Sequence, residues 1–140
     1  MAASPAHRGV VTIKIKGPPY VETFGGASAR VHVRGHLWLK ADSKNFTVTF
    51  TIQTAKFAFD DGGTNNAKRA IFTSAQPNPT SFSQCGNVFG DPALSNNNQS
   101  LTLLLANSDS NKYYYQLNFL DKRSNPPKAF HTNDPIMVNN

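Results

Sequence analysis

Cysteine, glutamate and tryptophan occur once each in this chain of 140 residues, as Cys85, Glu22 and Trp38. A lone cysteine excludes an intramolecular disulfide, so the fold has to be held by packing, and a chain of this length can bury a core without covalent staples. Charged residues make up 16% of the sequence and only 8 of them are acidic. The few carboxylates fall almost wholly in turn-like segments, which leaves no pair placed to work across a scissile bond. No Gly-x-Ser-x-Gly elbow, phosphate loop or Gly-x-Gly-x-x-Gly occurs. No apolar run approaches the roughly 20 residues of a membrane span. The start, Met1 to Arg8, lacks the apolar core of a secretory signal. These absences predict a soluble, cytoplasmic protein that is not an enzyme and needs no cofactor.

What is present is aromatic, with ten Phe and four Tyr among 39% hydrophobic residues, and it alternates. Period-2 alternation puts successive side chains on opposite faces of a strand. It places Val11, Ile13 and Ile15 on one face from about Val10 to Lys16, where Gly17-Pro18-Pro19 ends the run because proline has no amide hydrogen for the ladder. Residues 20–28 read as a loop with at most a short edge strand. A long alternation from Ala29 to Lys40 points Val31, Val33, Leu37 and Leu39 one way, and pairs as a hairpin with a strand that turns Phe46, Val48, Phe50 and Ile52 inward. Phe57 and Phe59 extend to the turn cluster Asp60 to Asn66, followed by a strand over Arg69 to Ser74. The Pro- and Asn-rich stretch from Gln76 to Asn98 is irregular, with a short strand near Phe82 to Cys85 and a helical turn at Asp91-Pro92. Strands over Leu101 to Ala106, Lys112 to Leu120 and Ile136 to Val138 complete the chain.

No window keeps a helical period, and neither βαβ alternation nor a repeat is seen. The expectation is therefore one all-β domain over residues 1–140, with residues 1–8 a flexible N-terminus. Its form is an immunoglobulin-like antiparallel β-sandwich of about seven or eight strands. The core expected is Val11, Ile13, Val31, Val33, Leu37, Leu39, Phe46, Val48, Phe50, Leu103, Tyr115, Leu117 and Phe119.

Fourteen Lys and Arg against 8 acids give a net charge of +6. Such a balance favours nucleic acid, acidic glycans or a membrane surface, although solubility alone also accounts for it. If the Ala29 to Lys40 strand is continuous, Arg30, His32, Arg34, His36, Trp38 and Lys40 share its outward face. Such a face is a cationic, aromatic stripe about 33 Å long, which Lys14 and Lys16 extend if the first strand lies nearby. Cations neutralise phosphate or sulfate while an indole stacks on a base or sugar. Two other readings compete: a charged edge that discourages aggregation, and a bulge at Gly35 that turns Trp38 into the core.

Metal chemistry finds little support. His32 and His36 lie about 13 Å apart along a strand, too far to share one ion. Cys85, His131 and Met137 are residue types of a copper site, yet the 45-residue gap from Cys85 to His131 is unlike a compact ligand loop. Cys85 reads as an inert core thiol. The Asp60 to Asn66 cluster lacks the alternating acids and closing glutamate of an EF-hand.

The C-terminal order, Leu101-Thr102-Leu103, a Ser/Asn/Asp turn, Tyr113 to Phe119, then Asp134-Pro135-Ile136-Met137-Val138-Asn139, resembles small uncharacterised bacterial immunoglobulin-like β-sandwich proteins that end in an Asp-Pro-aliphatic-x-Asn strand, and among them the DP-EP family. The chain has no Glu-Pro. The resemblance implies a fold and no activity. The function expected is a non-enzymatic binding module whose basic face engages nucleic acid or another polyanion. The alternatives are a carbohydrate-binding module using Trp38 and Tyr114, and an assembly domain that forms a homo-oligomer through a sheet edge.

Overall fold

A strand that alternates apolar and polar side chains has one face to bury, and two such sheets bury it against each other. The computed structural model describes residues 7–26, 30–31, 35–38, 45–86, 88–106, 112–132 and 136–138. Twelve strands lie among them: β1 (His7–Lys16), β2 (Val21–Gly26), β3 (Arg30–Val31), β4 (Leu37–Trp38), β5 (Asn45–Ile52), β6 (Phe57–Phe59), β7 (Ile71–Ser74), β8 (Ala93–Ser95), β9 (Ser100–Ala106), β10 (Lys112–Asp121), β11 (Lys128–His131) and β12 (Ile136–Val138). The one helical element among the described residues is a single 3-10 turn, Ala67–Arg69, capped by the Asn66 side chain. No helix among them is long and apolar enough to cross a membrane.

The first sheet runs β2-β1-β5-β9-β8. Its inner face is the expected alternation: Val11, Ile13 and Ile15 from β1, Val48, Phe50 and Ile52 from β5, and Leu101, Leu103 and Leu105 from β9 are all buried. The second sheet is built on β10. Phe119 pairs with Phe59 on one edge and Phe130 on the other, and Tyr114 pairs with Ser74 and Ile136, so β6 and β7 flank one side of β10 and β11 and β12 the other. Beyond β12 come β4 and then β3. Tyr113, Tyr115, Leu117 and Phe119 face inward and, with Leu37, Phe57, Phe59, Ile71 and Phe89, join the first sheet in one core cluster.

The strands that flank β10 are each broken, and local hydrogen bonds close the gaps. Asn118 N donates to Ala70 O at 2.9 Å and Asn118 O accepts from Asp60 N at 2.8 Å, so one residue of β10 spans the excursion at residues 60–70. Its side chain donates to Arg69 O at 2.9 Å. On the opposite edge Thr132 N donates to Leu117 O at 3.1 Å and its hydroxyl accepts from Leu117 N at 3.0 Å.

Several expectations are corrected. The continuous strand over Ala29 to Lys40 is instead two short strands lying antiparallel, with Arg30 opposite Trp38 and Val31 opposite Leu37. Gly35 stands between them at φ 94°, a conformation that glycine adopts without steric cost. The hairpin with the Phe46 strand does not form: β5 pairs with β1 and β9 in the first sheet, and β4 with β12 and β3 in the second. The sheets are not wholly antiparallel, because β1–β5 and β12–β4 are parallel pairs. Residues 21–26 form a full edge strand, Asp91-Pro92 leads directly into β8, and residues 82–84 are irregular backbone held by Thr73, whose hydroxyl accepts from Ser83 N at 2.8 Å. Of the expected core, Val11, Ile13, Leu37, Val48, Phe50, Leu103, Tyr115, Leu117 and Phe119 are buried. Val33 and Leu39 lie outside the described residues, as do the side chains of Val31 and Phe46.

Tyr115 is fully buried, which pushes its phenol well above its usual range, and its hydroxyl donates to the Gly35 carbonyl. That bond ties the β3–β4 bend to the centre of the second sheet. Tyr115→Phe keeps the ring but strands a buried carbonyl, and should lower the unfolding free energy by about 1–3 kcal/mol in chemical denaturation. Phe50→Ala, which opens a cavity, should cost about 3–5 kcal/mol in the same measurement.

Candidate polyanion-binding end

Strand β1 ends at Lys16 because Pro18 and Pro19 cannot donate to a ladder, and the turn at residues 17–20 brings Val21 opposite Lys16. Gly17 sits at φ 134°, and a Cβ there would run into the Pro19 carbonyl. Strand β10 ends at Asp121, whose partner across the next turn is Lys128. The β5–β6 connection arrives beside them, since Lys122 N donates to Lys56 O at 2.9 Å.

These turns from both sheets are fastened by one carboxylate. Asp121 is 2% exposed and accepts four hydrogen bonds: from Tyr20 Oη at 2.9 Å, Arg123 N at 3.0 Å, Arg123 Nε at 2.9 Å and Arg123 Nη2 at 3.0 Å. The paired guanidinium contacts are the bidentate geometry that planar Arg offers a carboxylate. Arg123 Nη2 also donates to Gly17 O at 2.6 Å, and its guanidinium carbon lies 4.9 Å from the centre of the Phe57 ring. Tyr20 stacks on Phe130 at 3.9 Å and 7°, with Phe57 edge-on to both rings. The Arg123 hydrogen bonds hold the Asp121 carboxyl far below the usual range, against the effect of its burial. Asp121 in turn raises the Arg123 pKa, and burial followed by the bond to Asp121 raises that of Tyr20.

Around this knot the charge is one-sided. Residues 14–22, 53–57 and 121–131 carry Lys14, Lys16, Lys56, Lys122, Arg123 and Lys128 against Glu22 and Asp121. Every one of the six cations is exposed. Glu22, half-buried on β2, has its pKa raised by burial, and the charge of His131 opposes that shift in part.

The residues expected to form one stripe are therefore divided. Lys14 and Lys16 belong to this end of the first sheet. Arg30 and Trp38 face each other across β3–β4, next to Val138 and so at the Lys112 end of β10, about 30 Å along that strand from Asp121. Only the backbone of Arg30 and Trp38 is described, His36 is half-buried, and His32, Arg34 and Lys40 lie outside the described residues. Sequence reasoning passed over Lys56, Lys122, Arg123 and Lys128, although Lys122-Arg123 and Lys128 on either side of Pro126-Pro127 are legible as a basic turn. Cys85 sits in a turn at the margin of the core rather than within it. Tyr114 is half-buried, with Lys112 Nζ 5.3 Å from its ring centre. Among the described residues no three His, Cys, Asp or Glu side chains converge as a metal site.

The depressed Asp121 pKa has a direct consequence for stability. An unfolded aspartate titrates near a pKa of about 3.9, so the folded chain gains from ionised Asp121 at every pH above that and loses the gain progressively as pH falls below it. Asp121→Asn should be less stable than the parent at neutral pH and should lose less on acidification below pH ~4. Denaturant midpoints measured against pH check both.

No family model matches the chain, and no curated protein matches it. Among solved structures it is similar to the crystal structure of the inclusion body protein PixA from Burkholderia cenocepacia. The two share 10% identity at a TM-score of 0.40, with 99% of this chain and 96% of that chain covered. A likeness at that level decides neither fold family nor function.

Proposed function

We propose that the chain is a non-enzymatic binding module that holds a polyanion at the end where β1, β6 and β10 meet their turns. Its scaffold we read as an immunoglobulin-like sandwich in which β1 has joined β5 in parallel. The observation that carries the reading is the convergence of six exposed cations from both sheets on one end that holds two carboxylates, one of them already engaged by Arg123.

The chemistry follows from how those charges are held. Arg123 is committed to Asp121 and Gly17, so it serves as the clamp that sets the turns, while Lys14, Lys16, Lys56, Lys122 and Lys128 present compact ammonium charges on flexible stems. Lysines of this kind neutralise anionic groups and release counterions without reading a sequence or a sugar pattern. Asp121 fixes the spacing of the charges, and it touches no ligand in this reading.

Binding should then fall steeply with salt. Retention on immobilised heparin and affinity for a fluorescent oligonucleotide, each measured across a salt series, test it. Replacing Lys56 and Lys122 together by Glu should weaken binding at low salt by more than about tenfold and flatten the log–log salt slope by about one or two units. Equal affinity and slope in parent and variant would sink the proposal.

A further inference from the structure

The turns that carry these lysines have a second property. Each carries a Pro-Pro pair, Pro18-Pro19 in one and Pro126-Pro127 in the other, and all four prolines are exposed. The two turns are joined directly, by Arg123 to Gly17 O and by Tyr20 to Asp121, so the tips stand side by side. Val21, next to the first tip, is 57% exposed. Proline contributes no N–H, so these tips expose apolar rings and withhold the backbone donors that make an ordinary loop costly to dehydrate.

Nucleic acid suits this end less well. Single strands are held by stacking on open aromatic faces, but here Tyr20 and Phe130 are stacked on each other and Phe57 is 2% exposed. Base edges are read in bidentate fashion by an open guanidinium fork, but the one at this end is closed on Asp121 and Gly17. What remains is apolar tips without donors, ringed by lysines whose stems can lie along an apolar boundary with their charges in water.

We propose that this end docks on the surface of an anionic phospholipid bilayer, with the Pro18-Pro19 and Pro126-Pro127 tips at the headgroup boundary and Lys16, Lys56, Lys122 and Lys128 on the headgroup phosphates and carboxylates. This rests on the polyanion reading above and names its partner. Negative surface potential draws the lysines in, and the apolar tips add contact that a soluble polyanion cannot supply.

Co-sedimentation with vesicles of phosphatidylcholine alone, and of phosphatidylcholine with about one-third phosphatidylserine, tests it. The expected result is at least about tenfold tighter binding to the phosphatidylserine vesicles, reversed by salt. Pro127→Ser and Val21→Ser should each weaken vesicle binding by about threefold. Both should leave heparin retention unchanged, which shows that the basic end remains folded. Retention on heparin without any preference for phosphatidylserine vesicles would overturn this inference and leave the polyanion reading standing. Tip variants that bind vesicles as the parent does, or a duplex oligonucleotide that strips the protein from vesicles at equal phosphate, would overturn it as well. A parent protein that neither is retained on heparin nor binds phosphatidylserine vesicles would bring down the two proposals together.

Discussion

The ten residues of β10 must satisfy backbone donors and acceptors on two edges while one face is buried, because water reaches neither the edges nor that face. Four separate segments share the task, β6 and β7 on one side and β11 and β12 on the other. None of them is long enough alone. The breaks fall at residues 60–70 and at Thr132 after β11, and Asn118 and Thr132 close them with hydrogen bonds to β10 and its neighbours. The inner face of β10 holds the core at the same time: Phe119 packs on Phe59 and Phe130, Tyr115 on Phe50 across the sheets, and Tyr113 on Phe89. Through the Tyr115 hydroxyl the strand also secures the Gly35 bend, and with it the β3–β4 pair.

The proposed binding end is a consequence of where β10 stops. Asp121 is its last residue and inward enough to be buried, so its charge has to be met by strong donors. Arg123 and Tyr20 meet it, and in doing so they draw the turn from the first sheet onto the turn from the second. Once those turns are joined, the segments that carry Lys16, Lys56, Lys122 and Lys128 meet at one end of the molecule. A single buried carboxylate thereby closes one end of the two-sheet core and concentrates positive charge around it.

Much of the strand pattern was legible in advance, since alternation is a local signal that depends only on which face is buried. Strand β12 was expected at its observed limits, and β1, β9 and β10 differ from expectation by a few terminal residues. The misreadings have physical causes. Alternation runs through Gly35 without a break, yet a glycine at positive φ redirects the chain whatever the side-chain pattern on either side. Strand β11 has four residues and one half-buried aromatic, Phe130, too few to alternate, and it exists because β10 needs an edge partner. The basic end was missed because its charges lie far apart in the chain, on Lys16, Lys56 and Lys122, and only Lys122, Arg123 and Lys128 form a local cluster.

The scarcity of cysteine and acidic residues, the density of aromatics and the period of two were enough by themselves to determine an all-β chain with a packed, unstapled core and a surplus of positive charge. Each of those properties belongs to single residues or to near neighbours. Which strands pair, that β1 lies parallel to β5, that Leu37 and Phe50 come from opposite sheets, and that Gly17 is joined to Arg123 while Arg30 and Trp38 pair at the Lys112 end of β10, were decided only in the tertiary structure. Pairing depends on satisfying backbone groups between segments distant in the chain, and the Asp121 knot joins residues separated by about a hundred positions, a distance across which no local pattern carries information.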